Sequence, residues 1–496
     1  MKRIVSLLLV LVLLLSALPF AGAFSDDASI DDGFKKAVAA MSEKKIIGGF
    51  TDGSFKPSET LTRAQAAKIL CVMLEGAEKA DALTKTETGF ADVPATHWAA
   101  KYVAYCVDKG IVAGVGEGKF DPDGQLSSGA FAKMLLVAYG EDGAKFTGGE
   151  WLKNVQDAVK PTLLAFNLKE FGNTAMPRQE AAQLGFNAMY AAEAKAAKTE
   201  KDITGELPTS VPEKITVLAI GNSFSNDSVL GYLCPMLQEA GVKEFTVGNL
   251  YHGGCSLEMH TGYALKGEKA YQYYKRTEKA KKWNSPKKKS ATIDDPLKDL
   301  QWDYITFQQA SARSGLPSSF QPWEEALLYY VQSQQPKAVF GWNMTWAYGS
   351  NYKKAAFKNY DNDQMKMYNA ITKTAQDNLA AEPRLKFLIP VGTAIQNART
   401  SFLGDNLNRD GTHLNKGIGR YIASLTWCCK LTGVDPDKIT YLPETLVQDK
   451  KDYKIEGLDM SAPGLLEALG KVARESVKNA LAKPFEITQS QYTTAP

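Results

Sequence analysis

One stretch of this chain is written twice. GGFTDGSFKPSETLTRAQAAKIL at residues 48–70 returns as AGVGEGKFDPDGQLSSGAFAKML at 113–135, with Phe55 matching Phe120 and Pro57 matching Pro122. A third, weaker copy ends in NTAMPRQEAAQLGF at 173–186. A repeat constrains the fold more than any single motif, because each copy must bury its apolar face against its neighbours. Each copy reads as a helix, a glycine-rich loop and a second helix, with Thr62, Ser127 or Thr174 at or near the start of that second helix. The copies occupy residues 30–83, 88–142 and 147–192, the last degenerate.

These residues resemble the S-layer homology (SLH) domain, a module found in threes that docks exported proteins onto secondary polymers of the cell wall. Thr62-Arg63-Ala64-Gln65 is similar to the family's short basic motif, and the third copy retains Arg178. The resemblance implies that Arg63 and Arg178 bind the polymer. An arginine near a helix start suits an anionic group, since guanidinium and helix amides can share one anion. The second copy departs from the pattern, carrying Ser127-Ser128-Gly129-Ala130 with no arginine.

The first residues point to export. Residues 1–23 read as a secretory signal, with Lys2 and Arg3, an apolar run from Ile4 to Leu15, and Ala21-Gly22-Ala23 as a cleavage site. That run is short for a membrane span of about 20 residues, and no later stretch is long and apolar enough to form one. Removing the signal leaves 56 basic against 55 acidic residues, which gives no electrostatic footprint for nucleic acid. The expected location is the cell surface or cell wall.

Six cysteines, Cys71, Cys106, Cys234, Cys255, Cys428 and Cys429, are scattered without a CxxC pair. Four histidines show no metal-ligand spacing, so neither a metal centre nor a cofactor is expected. Residues 193–213 form a charged, proline-containing break that reads as a linker. Beyond it, β-branched apolar runs alternate with helical stretches, the pattern of an α/β domain with a mostly parallel sheet over 214–432. Residues 433–496 read as a helical extension and a polar tail. KRTEKAKKWNSPKKKS at 275–290 is the one strongly basic run, read as a solvated insertion or as a contact with anionic wall polymer.

The α/β domain opens on ITVLAIGNSFSNDS, where a strand from Ile215 to Ile220 runs through Gly221-Asn222 into Ser223 before a helix. That is where open α/β sheets place their ligands. Ser223 taken alone reads as a helix cap, although Ser225, Asn226 and Asp227 are better placed for capping. RDGTHLN sets Asp410 three residues before His413, close enough for one carboxylate to orient one imidazole. Gly253-Gly254 follows a strand-like FTVGNL, and ITFQQAS carries a strand into Gln308 and Gln309. A glycine amide and a side-chain amide at such positions could both serve an oxyanion.

Taken together, Ser, Gly, amide and Asp-x-x-His in that order resemble the SGNH (GDSL-like) hydrolases, a superfamily of esterases, lipases and carbohydrate deacetylases with a three-layer, flavodoxin-like α/β fold. The resemblance implies a multidomain, wall-anchored serine esterase acting on an esterified carbohydrate or wall polymer. Ser223 is the implied nucleophile, His413 the base and Asp410 its orienting acid, with Ser223, Gly254 and Gln309 as oxyanion donors. Asn222, Gln308, Trp346 and Arg409 are the expected substrate contacts, Trp346 as part of the aromatic stretch GWNMTWAYG. Two departures stand out: Gln308-Gln309 replaces the family's asparagine block, and Asn222 replaces the aspartate of GDS. A glycan-binding protein retaining the fold, or an acyltransferase using the same residues, remains open at this point.

Overall fold

A computed structural model describes residues 24–198 and 206–496. The signal segment 1–23 and residues 199–205 of the linker lie outside the described residues. The chain divides into two compact units, one ending at Ala197 and the other running from Lys198 to Pro496.

The first unit is a ring of three helical repeats. Its second-helix positions are taken by Arg63–Glu75, Ser128–Ala138 and Arg178–Ala197. Thr62 opens the first of these with a reciprocal capping box to Gln65, and Ser127 caps the second through Ala130 N–H. Thr174 lies before the third helix rather than at its cap, since that helix starts at Arg178.

Each helix start is stitched to the next copy's loop. Arg63 N–H donates to Gly124 O, Gly129 N–H to Gly172 O, and Arg178 N–H to Glu59 O, which closes the cycle from third copy to first. The glycine that stands in the second copy where the first has Ala64 has a steric reason. A Cβ at Gly129 would meet Leu152 Cδ1 at 2.5 Å and Gly172 O at 2.9 Å, so the backbone approaches there too closely for any side chain. The third helix continues to Ala197, into the span that reads as linker in the sequence.

The second unit is built on a six-stranded sheet among the described residues, in the order β3-β2-β1-β4-β5-β6. The strands are β1 (Lys214–Gly221), β2 (Glu244–Tyr251), β3 (Gln272–Thr277), β4 (Tyr304–Phe307), β5 (Val339–Asn343) and β6 (Leu385–Ile389). All neighbours pair in parallel except β3, which lies antiparallel to β2 at the edge. Without β3 the order is that of the flavodoxin-like doubly wound fold, with its switch point beside β1. From Ile215 onward every residue of β1 is buried, as a strand covered on both faces requires.

The last part of the chain completes this unit. Helix Leu465–Ala482 packs on helices Val391–Arg399 and Ile418–Thr432. The polar tail is pinned as well: Thr488 N–H donates to Asn397 Oδ1 at 2.8 Å, and Phe402 N–H to Tyr492 O at 2.9 Å.

Candidate active site

β1 ends at Gly221, and the chain turns at once into helix Ser223–Val229. Asn222 caps this helix by accepting from Phe224 N–H at 3.0 Å, a task the sequence reading gave to Ser225, Asn226 and Asp227. With the cap bonded to the second helical amide, the first stays free. Neither Ser223 N–H nor Gly254 N–H has an acceptor among the described residues. Gly254 has φ +68°, open space where a Cβ would stand, and a loop tied to the end of β1 by Asn222 Nδ2–H donating to Cys255 O at 3.0 Å. His252 N–H donating to Gly221 O holds the same loop from its other side.

The histidine arrives from the far end of the sequence. Ser223 Oγ lies 2.8 Å from His413 Nε2, and His413 Nδ1 lies 2.7 Å from Asp410 Oδ2. The acid on Nδ1 places the ring proton there and leaves Nε2 to accept from the serine hydroxyl. Asp410 also accepts from His413 N–H at 2.7 Å and from Thr412 N–H at 3.0 Å, so one carboxylate shapes the turn and orients the ring. Partial burial disfavours its charge, but these hydrogen bonds and the neighbouring imidazole outweigh that cost. Its carboxyl is held well below the usual carboxylate range.

A buried aspartate fastens this loop to the serine helix. Asp227, one turn after Ser223 and fully buried, accepts from Leu414 N–H at 2.9 Å and pairs with Arg409 at 3.2 Å and Arg420 at 2.6 Å. Trp346 secures the same loop through Nε1–H to Thr412 O at 2.8 Å and stacks on Phe224 with ring centroids 4.0 Å apart. Beneath the site runs a chain of buried amides. Trp427 Nε1–H donates to Asn343 Oδ1, Asn343 Nδ2–H to Gln308 Oε1, and Gln308 Nε2–H to Asn222 Oδ1, at 3.1, 2.9 and 2.8 Å.

The structure therefore brings Ser223, His413, Asp410 and Gly254 together, and it reassigns the other expected residues. Gln309 is not aimed at an oxyanion: its amide group donates to Ser319 O and Ser319 Oγ, while its oxygen accepts from Leu257 N–H and Ala310 N–H. Asn222 and Gln308 are buried with their bonds directed at protein groups, so they set the cap and the glycine loop rather than face a substrate. Trp346 is fully buried, and Arg409 is spent on Asp227 and Leu414 O. Sequence reading missed Asp227 as the fastening residue. Its spacing of four from Ser223 put it on the right helix, but nothing local named Arg409 and Arg420 as its partners.

In the first unit, Arg63 and Arg178 repeat one geometry. Arg63 donates from Nε to Phe120 O at 2.7 Å and from Nη2 to Ala113 O at 2.8 Å, with its guanidinium over the Phe120 ring. Arg178 does the same to Phe55 O and Gly48 O at 2.9 and 2.8 Å. Both guanidinium groups thus join neighbouring copies, and burial lowers the pKa of each. Arg63 stays partly exposed, whereas Arg178 is 4% exposed.

Fold and site together define a protein with a ring of helical repeats and a flavodoxin-like α/β unit that carries a serine, histidine and aspartate in hydrogen-bonded line. Residues 216–455 match the family model described as Domain of unknown function (DUF4886), and residues 23–67 and 89–132 match that of the S-layer homology domain. A crystal structure of a DUF4886 family protein from Bacteroides uniformis is 38% identical, covering 57% of this chain and 100% of that one with a TM-score of 0.50. The chain belongs to the DUF4886 family.

Among curated proteins it is similar to a cell surface protein of Thermoanaerobacter kivui, 29% identical over 143 residues, 28% of this chain and 19% of that protein. It is also 34% identical over 96 residues to a Bacillus anthracis protein described as an uncharacterized cell wall amidase, covering 19% of this chain and 17% of that one. The matches thus span less than a fifth of the length of these relatives. S-layer homology domains typically bind secondary cell-wall polymers, and no helix among the described residues is long and apolar enough to cross a membrane.

Proposed function

We propose that this protein is a wall-anchored serine esterase that removes acyl groups from an esterified carbohydrate or cell-wall polymer. The observation that carries the reading is the unbroken line from Asp410 through His413 to Ser223, at 2.7 and 2.8 Å. Ser223 Oγ attacks the acyl carbonyl as His413 Nε2 takes its proton, and Asp410 holds the ring in the required tautomer. The free amides of Ser223 and Gly254 donate to the oxyanion of the tetrahedral intermediate. Collapse expels the sugar hydroxyl with the proton from His413, and water then releases the acid by the same steps in reverse.

A sugar suits the wall of this site. Tyr352 lies against Gly411 beside Asp410, its ring partly exposed and set edge-to-face against Tyr348, an aromatic group of the kind on which sugars pack. The repeats would hold the enzyme at its substrate, with the partly exposed Arg63 better placed than Arg178 to reach an acidic group on the polymer. The test is intact-mass analysis of the purified protein after treatment with a fluorophosphonate, alongside Ser223→Ala and His413→Ala. A single adduct is expected, absent from the serine variant and much slower in the histidine variant. Folded wild-type protein that takes up no adduct would sink the esterase reading.

A further inference from the structure

The basic run of the second unit plays no part in the chemistry above, yet it is an ordered surface. Residues 281–289, KKWNSPKKK, carry five lysines, and all five are exposed. The segment folds back on edge strand β3 and is fastened there by named bonds. Trp283 Nε1–H donates to Leu230 O at 3.1 Å, Lys275 N–H to Asn284 Oδ1 at 2.7 Å, and Gln272 Nε2–H to Pro286 O at 3.0 Å. A merely solvated lysine loop needs no such fastening.

Nearby acids do not neutralise it. Asp299 is taken by Lys275 and Tyr273, Glu278 accepts from Phe245 N–H, and Asp295 accepts from the N–H and hydroxyl of Thr292. Lys281, Lys282, Lys287, Lys288 and Lys289 have no carboxylate within ion-pair distance among the described residues. Their positive field is therefore uncompensated, in a chain whose mature charge is close to balanced. Asn284 is bonded at Lys275 and Pro286 at Gln272, so this stretch runs alongside β3 with Lys281 and Lys282 before it and Lys287 to Lys289 after it, an extended arrangement that suits a linear ligand. Leu230, which anchors Trp283, follows the helix that starts at Ser223, and a helix of seven residues is about 10 Å long.

We propose that residues 281–289 are a docking surface for a linear anionic polymer of the cell wall, one bearing phosphate or carboxylate groups along its length. The surface is separate from the repeats and does not depend on the esterase chemistry. It would place such a polymer within reach of the end of the sheet that carries Ser223.

The experiment is amine footprinting of the full-length mature chain. Lysines are acetylated with an N-hydroxysuccinimide ester and read by peptide mass spectrometry, with and without soluble poly(glycerol phosphate), and with neutral dextran as control. The five lysines should label about tenfold more slowly with the anionic polymer at low salt, and the protection should vanish near 1 M salt, where the Debye length is about 3 Å. Changing all five to glutamine should weaken binding to this unit at least about tenfold while leaving fluorophosphonate labelling intact. Unchanged labelling, protection confined to residues 30–192, or equal protection by dextran would each overturn the proposal. Protection by phosphatidylglycerol vesicles but not by the polymer would overturn it in favour of a membrane surface.

Discussion

The two units begin helices with the same grammar and use the first residue in opposite ways. In the repeats, Arg63 and Arg178 stand at the first helical position, and both guanidinium groups donate to carbonyls of the adjoining copy. In the sheet unit, Ser223 stands at the same position, but Asn222 does the capping and the serine hydroxyl is left to a histidine 190 residues away. A helix start can be structure or chemistry, and what decides is whether a neighbour has already satisfied its amides. The repeats use their polar first turns to close a ring. The sheet unit uses Asn222, Gln308 and Asn343 to keep one first turn open.

The comparison is tested most severely at the serine. Ser223→Ala and His413→Ala should lower turnover of an aryl acetate by several orders of magnitude, as for other members of a triad, with the thermal unfolding of the repeats unchanged. A loss of repeat stability in either variant would break the separation of roles.

Asp227→Ala comes next, because it leaves Arg409 and Arg420 facing a vacated buried position. A destabilisation of about 3–5 kcal/mol in chemical unfolding is expected, together with a fall in kcat as the His413 loop loosens. Asp227→Asn should recover part of the stability through Leu414 N–H and less of the rate.

Acid should act with opposite sign on one buried group of each unit. His260 is fully buried, and desolvation with a smaller repulsion from His252 pushes its pKa down to about 3. A base depressed in the folded state contributes stability above its unfolded pKa of 6.5 and loses it as pH falls towards 3, on the order of a few kcal/mol in all. In the repeats, burial raises the carboxyl of Glu180, whose contribution is present at low pH and is lost as pH rises. Unfolding of the sheet unit followed from pH 7 to pH 4 should show a smaller loss of stability in His260→Gln than in the wild type, and Glu180→Gln should remove the opposite contribution from the repeats.

The smallest effect is expected in the ring. Arg178→Ala leaves Phe55 O and Gly48 O without their donor in a buried joint, at about 1–3 kcal/mol. Arg63→Ala, at the more exposed joint, should cost less, and neither should change fluorophosphonate labelling of Ser223. Differential scanning calorimetry with a parallel labelling assay measures both.

Much of the fold could be read in advance, because its signals are local. The doubled FxP loop and the helix starts near Thr62 and Ser127 announce a repeat, and ITVLAIG followed by GNS announces a first strand of an open sheet. The order Ser, Gly, Asp-x-x-His was likewise visible. Gln309 was misread because an amide at a strand end can point to either side, and the turn at Ser319 claims it. Trp346 and Arg409 were misread because an aromatic ring or a guanidinium binds protein and substrate through the same faces, and only burial separates the two uses.

The sequence by itself determined the repeats, the alternation that makes an α/β unit, and the residue types able to activate a hydroxyl. Such features lie within a few residues of one another, where helix period, turn chemistry and strand alternation act directly. Only the tertiary structure decided that Asp227 holds the histidine loop to the serine helix, and that Gly129 stands where the repeats leave no room for a side chain. It also decided that Gln308 supports the cap instead of facing a substrate. Each of these is a contact between residues far apart in the chain, and such contacts depend on which partner reaches a polar group first when the core closes.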